Sequence, residues 1–223
     1  MKISDYKVLI FDCDGVIFDT NKLKISAFKK ILKNYEQPYI DDFLSYFSGN
    51  FGRSRYIHVK HFIENILKIP FDDQLYNQIL ADYGLECRLL YDKAEICVGV
   101  RELLKITKNK IKYIASGSDQ AELIDVFNRR ELEHHFSSIM GSPRSKNDLV
   151  KDICNIHEND KILMIGDAKA DLIAAKLSEI DFLYVSRYSM DNKNMKKLRR
   201  TEEFTTVIDL SEIIESFGDS KSI

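Results

Sequence analysis

Short apolar runs that alternate with helix-like stretches limit the possible folds of this chain more than any other feature. The first run, residues 7–11, ends abruptly at Asp12. Runs of this kind are typical of strands buried on both faces of a parallel sheet. Their alternation with helices predicts an α/β fold, an open parallel sheet of the Rossmann-like type. Further strands are predicted at 111–115, 138–140, 162–165, 182–185 and 205–208, and helices at 101–108, 120–130, 147–155 and 170–177.

The stretch from about residue 21 to residue 90 breaks this alternation. It has no convincing strand, and apolar residues recur at helical spacing over 22–34, 56–67 and 73–90. We interpret it as an all-helical insertion after the first strand. The sequence therefore predicts a discontinuous α/β core domain, residues 1–18 and 93–223, and a small helical cap domain, residues 19–92.

Charge and composition argue against several classes of partner. The chain has 33 basic and 35 acidic residues and a net charge of −2, so it has no broad field to attract nucleic acid or an anionic membrane. No apolar stretch approaches the roughly 20 residues that span a bilayer. The N-terminus lacks the apolar segment of a secretory signal, and the four cysteines have no CxxC spacing. We expect a cytoplasmic monomer or homodimer that binds neither nucleic acid nor membranes.

Polar clusters follow four of the predicted strands, at the edge where open parallel sheets bind ligands. The first cluster contains Asp12 and Asp14, whose side chains point the same way on an extended segment. Two carboxylates side by side repel each other, so they favour a bound cation. Ser116-Gly117-Ser118 follows the next strand along the chain, and its hydroxyls and free amides suit a phosphate group.

The two later clusters add a cation and more oxygen ligands. Lys146 supplies an ammonium group that would neutralise an anion and orient a carboxylate. Asp167 and Asp171 follow the strand predicted at 162–165, and their carboxylate oxygens suit a hard ion such as Mg²⁺.

In this order the four clusters resemble the motifs of the haloacid-dehalogenase-like hydrolases, and the helical insertion resembles the cap of that superfamily. In motif order and in its helical insertion, the chain resembles phosphoglycolate-phosphatase-like and β-phosphoglucomutase-like enzymes. The resemblance implies a magnesium-dependent phosphatase that hydrolyses a small phosphate monoester of the sugar or polyol type. Its cofactor would be Mg²⁺, and its partner a small phosphorylated metabolite.

The resemblance also implies a role for each matching residue. Asp12 would attack phosphorus and form an aspartyl-phosphate, while Asp14 would act as general acid and then as general base. Phosphoryl oxygens would be bound by Ser116, the Gly117 amide and Lys146. Magnesium would be held by Asp12, the main-chain carbonyl of Asp14, Asp167 and Asp171, the last directly or through water.

A loop inside the insertion, residues 48–55, contains two glycines and an asparagine. In similar capped enzymes this loop reaches the active site and selects the substrate. We expect Arg53, with Asn50 nearby in the loop, to contact the leaving group, and we expect this less of Arg55. His58 lies just beyond the loop, and with no third metal ligand nearby we expect it to be exposed.

Several other functions remain open at this point. Phosphomutases of the β-phosphoglucomutase type tend to carry a histidine where this chain has Lys24, which favours the phosphatase, although Lys24 could still touch substrate. The intact Asp14 and Gly15 argue against a dehalogenase. Phosphonate cleavage would need a cap lysine, and a non-catalytic phosphate-binding regulatory module is a further alternative. The cap lysines available for such cleavage are Lys22, Lys24, Lys29 and Lys30.

Overall fold

A computed structural model of the chain, which describes residues 1–218, contains a parallel six-stranded sheet. The strand order is β3-β2-β1-β4-β5-β6, so the first strand in the sequence lies in the middle of the sheet. Helices flank the sheet, and the α/β, Rossmann-like prediction is confirmed. The strands are β1 (Val8–Phe11), β2 (Ile111–Asp119), β3 (Ser138–Ser142), β4 (Ile162–Gly166), β5 (Asp181–Val185) and β6 (Thr205–Val207).

The central strand β1 is apolar throughout because both of its faces are buried. Leu9 and Phe11 belong to one apolar cluster of the core, whereas Val8 and Ile10 belong to a second cluster. Successive side chains of a strand point to opposite faces, so the two clusters lie on the two sides of the sheet. The flanking helices are α5 (Val100–Ile106), α6 (Gln120–Arg129), α7 (Lys146–Ile156), α8 (Lys169–Leu177), α9 (Asn192–Leu198) and α10 (Ser211–Gly218).

Strand β2 is longer than the sequence predicts. The apolar run ends at Ala115, but the strand continues to Asp119, and its pairing with β3 shifts register between these two residues. The sequence Ser116-Gly117-Ser118 has no apolar residue to continue the pattern, so periodicity alone could not extend the strand. The irregular pairing lies where the chain turns from the sheet towards the ligand-binding edge.

The insertion between β1 and β2 is helical. Its helices are α1 (Asn21–Ile31), α2 (Gln37–Ser48), α3 (Arg55–His61) and α4 (Asp73–Lys93), and a π-helical turn, Phe62–Ile66, continues α3. Helix α2 was not among the predicted helices. It starts with a proline in its first turn, and it buries Ile40, Phe43 and Phe47 on one face.

Aromatic packing joins three of these four helices. The Phe28 ring stacks on Tyr83 with a centroid separation of 3.7 Å, and it meets Phe43 and Phe47 edge-on at 4.8 Å. One fully buried ring of α1 therefore joins α2 and α4. We refer to the helices α1–α4 as the cap, although the exact domain limits at residues 18 and 93 stay a prediction. Within residues 1–218, no helix has the length and hydrophobicity needed to cross a bilayer.

We expect Phe28→Ala to lower the free energy of unfolding by about 3–5 kcal/mol. The substitution removes the ring that joins three helices and leaves a cavity in its place. Denaturant unfolding followed by circular dichroism measures this loss. Lys29→Ala is the matched control, since Lys29 is the exposed neighbour on the same helix. A loss below about 1 kcal/mol for Phe28→Ala would contradict the central role of this ring.

Candidate active site

Three buried carboxylates meet at the edge of the sheet where β1 and β4 end. The two strands pair in register, with Phe11 opposite Ile165, so that Asp12 and Asp167 follow directly on neighbouring strands. Asp171 lies in the first turn of α8. Oxygen atoms of the three carboxylates lie within 4.8 Å of one another, and each residue is at most 2% exposed. The predicted clusters at 12–14 and 166–171 are thus brought together.

Lys146 is the cation that contacts this cluster in the described part of the chain. Its ammonium lies 3.0 Å from an oxygen of Asp12 and also pairs with Asp171. Burial raises the pKa of Asp12 to about 7, because the attraction of Lys146 is offset by repulsion from Asp171 and Asp14. Burial and the charges of Asp12 and Asp171 also raise the pKa of Asp167. One ammonium therefore does not balance the negative charge here.

The donor set suits a hard divalent cation. All three groups offer carboxylate oxygens, and the uncompensated charge favours an added positive ion. Asp171 already accepts hydrogen bonds from the amides of Asp167 and Ala168, at 3.1 and 3.0 Å, through one oxygen, while its other oxygen pairs with Lys146. Asp12 and Asp167 are therefore the freer of the three ligands.

The Asp14 side chain lies in a separate polar network. One of its oxygens accepts hydrogen bonds from the hydroxyls of Thr20 (2.5 Å) and Tyr91 (2.9 Å). The other accepts from the Lys24 ammonium (2.5 Å) and the Ser118 hydroxyl (2.6 Å). Burial alone would raise the pKa of Asp14, but the Lys24 charge and these hydrogen bonds outweigh it and lower the pKa to about 2. Asp14 is thus a carboxylate in this state.

The cap loop rests directly on the predicted phosphate-binding segment. A Cβ atom added to Gly117 would lie 2.5 Å from the Gly52 carbonyl oxygen and 2.9 Å from that of Arg53, so only glycine fits there. Gly52 has a φ of +85°, which favours glycine, and its own Cβ would lie 2.9 Å from the Ala170 side chain. Ser116, one residue before Gly117, is also buried.

Cap and core leave a cavity of about 30 Å³ between them. Such a space holds about one or two water molecules and no phosphorylated metabolite. Entry of any substrate of that kind therefore requires the cap to move away from the core. The cavity is lined from the core by Asp12, Asp14, Ser116, Gly117, Ser118 and Asp167, and from the cap by Asn21, Lys24, Phe47, Phe51, Gly52, Arg53, Arg55, His58 and Tyr83.

The cap side chains differ in part from the sequence expectations. Arg53 lines the cavity but is exposed, and its contact with a leaving group stays a prediction. Asn50 donates a hydrogen bond to the Tyr46 carbonyl at 2.8 Å, at the end of α2, and its role likewise stays a prediction. The expectation of an exposed His58 is wrong, because this ring is 1% exposed and faces the cavity.

Arg55, which the sequence ranked below Arg53, is buried between cap and core. Its guanidinium makes two hydrogen bonds to Glu122 on α6, at 2.7 and 2.5 Å, and it lies 4.9 Å from the centre of the Tyr83 ring. This pair, with each side chain 6% exposed, connects α3 to the core. Sequence patterns could not pair residues 67 positions apart, since nothing local links them.

Other residues of the site escaped sequence analysis. The Asn21 amide donates to a carboxylate oxygen of Asp167 at 2.7 Å, and the Tyr91 hydroxyl reaches Asp14 from the far end of α4. Asn21 is the first residue of α1, directly after Thr20, and no local sequence pattern connects it with Asp167. For Lys24, the sequence indicated a possible contact with substrate but not the ion pair with Asp14.

Comparison with known proteins extends these observations. The family model for haloacid dehalogenase-like hydrolases matches residues 9–185. A phosphorylated carbohydrates phosphatase from Thermotoga maritima is 25% identical over 204 residues, which cover 83% of this chain and 88% of that protein. A phosphoglycolate phosphatase from Aquifex aeolicus is 26% identical over 187 residues, covering 76% and 80%. The crystal structure of a hydrolase from Pseudomonas syringae superposes with a TM-score of 0.73 at 18% identity, covering 96% and 98% of the two chains.

We expect Mg²⁺ to stabilise the folded chain, because a cation at the cluster would relieve the repulsion between Asp12 and Asp167. At 100 times its dissociation constant, an ion adds about 2.7 kcal/mol, which raises Tm by several degrees in a chain of this size. Differential scanning fluorimetry with MgCl₂ or EDTA measures this shift.

Asp167→Asn should abolish most of the magnesium-dependent shift, whereas Asp42→Asn, which changes an exposed carboxylate of the cap, should retain it. An equal shift in both variants would show that magnesium binds elsewhere.

Proposed function

Since the chain belongs to the haloacid dehalogenase-like hydrolase family and is a phosphatase of that family, we propose that it hydrolyses a small sugar or polyol phosphate. The reaction would proceed through an aspartyl-phosphate on Asp12, with Mg²⁺ as the cofactor. The observation that carries this proposal is the division of labour between two nearby carboxylates. Asp12 lies in the charged cluster with Lys146, whereas Asp14 lies among the proton donors of the cap.

Asp12 is held in one orientation for attack on phosphorus. One of its oxygens accepts the Cys13 amide hydrogen at 2.7 Å, and the other faces the Lys146 ammonium at 3.0 Å. As the bond from an Asp12 oxygen to phosphorus forms, the ester bond to the leaving group breaks. Lys146, with the Ser116 hydroxyl and the Gly117 amide, would bind the phosphoryl oxygens and reduce the repulsion between two anions.

A magnesium ion held by Asp12 and Asp167, with Asp171 behind them, would supply Lewis-acid neutralisation of the phosphate charge. The Asn21 amide, at 2.7 Å from Asp167, orients that ligand. The main-chain carbonyl of Asp14 completes the proposed ligand set.

Asp14 would transfer protons in both half-reactions. It protonates the oxygen of the leaving group when Asp12 attacks, and it then accepts a proton from the water that hydrolyses the aspartyl-phosphate. This second step releases phosphate and restores the free Asp12 carboxylate. In the closed state Asp14 is ionised, which is the form required for the second step. For the first step it must be protonated, and the Lys24 contact opposes that.

The type of substrate is supported by the name of one relative. The relative from Thermotoga maritima is named for phosphorylated carbohydrates, whereas the one from Aquifex aeolicus is named for phosphoglycolate. We extend the first of these to the present chain. We also propose that the protein is cytoplasmic, since the four cysteines are all free thiols, as is usual in a reducing compartment. It would be a monomer or a homodimer, and its partner would be a small phosphorylated metabolite.

Asp12→Asn should reduce magnesium-dependent hydrolysis of p-nitrophenyl phosphate by about 1,000-fold or more, because an amide is a poor nucleophile and a poor metal ligand. Phosphate release measures the rate, and circular dichroism checks the fold. Asp42→Asn serves as the control carboxylate. If a folded Asp12→Asn protein kept substantial activity, the proposed nucleophile would be wrong.

Lys24→Met should move the pH optimum of hydrolysis upwards. Lys24 lowers the pKa of Asp14, so its removal raises that pKa from about 2, and Asp14 then ionises only at higher pH. The alkaline limb of the kcat/KM profile, where Asp14 loses the proton that it must hold to protonate the leaving group, should shift upwards by about one pH unit or more. Lys30→Met, an exposed substitution on the same helix, should leave the profile in place. An unmoved profile in Lys24→Met would separate Lys24 from the acid–base chemistry.

A further inference from the structure

The His58 side chain is buried without the hydrogen bonds that a buried imidazole normally makes. The residue is 1% exposed, and neither ring nitrogen has a hydrogen bond of acceptable geometry to the described residues. An unpaired buried polar group costs free energy, so its persistence calls for an explanation such as an absent ligand. The ring lines the cavity that also contains Asp12 and Ser116.

Aromatic neighbours fix the orientation of this ring. Phe47 meets it at nearly a right angle with centroids 4.8 Å apart, and Tyr46 does so at 5.6 Å. Both neighbours belong to α2, so the ring is held between two cap helices. A ring held in this way presents its nitrogens in fixed directions, as a group that recognises a ligand must.

His58 is neutral in this environment. Burial lowers its pKa to about 3; the positive charges of Arg53 and Lys24 add to that effect, and a contact with the Arg53 backbone opposes it. A neutral imidazole offers one N–H donor and one nitrogen acceptor. Hydroxyl groups can accept from the ring N–H and can also donate to the bare nitrogen, whereas a carboxylate can pair only with the N–H.

Buried cations of the cap are already neutralised by carboxylates. The Arg55 guanidinium is paired through two hydrogen bonds with Glu122, and the Lys24 ammonium is paired with Asp14. Among the described cavity-lining residues of the cap, Arg53 is the remaining cation, and its side chain is exposed. The enclosed part of the cap therefore has no spare positive charge for a second anionic group.

We propose that His58 determines specificity by hydrogen bonding to a hydroxyl group of an uncharged leaving group, and that the Arg55–Glu122 pair disfavours leaving groups that carry a carboxylate or a second phosphate. This inference rests on the proposed phosphatase function and narrows its substrates to monoesters of neutral, hydroxylated compounds. His58 would contact the leaving group of the substrate, while Asp12 and Asp14 would carry out the bond-breaking and proton-transfer steps.

The first test compares two substrates in the magnesium-loaded protein. Glycerol 3-phosphate has a leaving group with hydroxyls, whereas the leaving group of p-nitrophenyl phosphate has none that His58 could bind. His58→Phe keeps the aromatic packing but removes both nitrogens, so the ratio of kcat/KM for glycerol 3-phosphate to that for p-nitrophenyl phosphate should fall about 10-fold. His58→Gln, which keeps a donor and an acceptor, should restore part of that ratio.

His61→Phe is the matched control for this comparison. His61 lies one turn further along α3, stacks on Tyr46 with centroids 3.6 Å apart, and is not among the cavity-lining residues. Its substitution should keep the wild-type ratio. An unchanged ratio in His58→Phe would overturn the proposed recognition, whether both substrates lost activity equally or neither did. His58 would then have only a structural role.

The second test addresses charge, with 2-phosphoglycolate as the substrate whose leaving group is anionic. The wild-type protein should favour glycerol 3-phosphate, and Glu122→Gln, which frees the Arg55 guanidinium, should shift the ratio about 10-fold towards 2-phosphoglycolate. Glu86→Gln, which removes the carboxylate of the more exposed cap pair with Lys30, should not. A wild-type preference for 2-phosphoglycolate, or no shift in Glu122→Gln, would overturn the inference.

Different results would contradict the phosphatase function and the specificity assigned to His58 and Arg55. If the wild-type protein with magnesium hydrolysed none of the three esters, the proposed phosphatase function would be wrong, and the inference that rests on it would fall too. If p-nitrophenyl phosphate were hydrolysed but the ratios did not change in the variants, only the inference about His58 and Arg55 would be wrong.

Discussion

Repulsion between buried carboxylates is the interaction on which the rest of the site depends. The parallel pairing of β1 with β4 places Asp12 beside Asp167, and the first turn of α8 adds Asp171. Lys146 offsets part of this charge, and the remaining negative charge favours an added cation. The sheet accepts this unfavourable grouping because the strands are buried on both faces and cannot separate to relieve it.

The cap adds buried ion pairs of its own. Unlike the carboxylate cluster, these pairs carry no net charge. Arg55 with Glu122 and Lys24 with Asp14 are each compensated within the protein. Pairs of this kind contribute little net stability, because the cost of removing both ions from water offsets their attraction. When the cap moves away, water can solvate the separated partners. These two pairs therefore add little to the free-energy difference between a closed and an open cap.

The sequence predicted which polar residues of the core lie close together, but it did not predict the contacts of the cap side chains. The difference has a physical reason. Asp12, Ser116 and Asp167 each follow an apolar run, and the ends of neighbouring parallel strands must meet, so local pattern implied their proximity. The partners of Arg55 and the burial of His58 depend on how two helices pack across the chain. Such contacts leave no periodic signal, and a polar residue on a short helix looks exposed until its neighbours are known.

The contact between the cap loop and Gly117 has a consequence for the range of molecules that the enzyme can accept. Closure brings the backbone at Gly52 against the backbone at Gly117, with no side chain between them. A methyl group at position 117 would collide with the Gly52 carbonyl oxygen and prevent the cap loop from reaching its present position. With the cap loop displaced in this way, the buried carboxylate cluster would become accessible to bulk water and to large phosphoesters, such as those on protein surfaces. The absence of a Cβ atom at residue 117 thus decides how closely the cap loop can cover the end of strand β2.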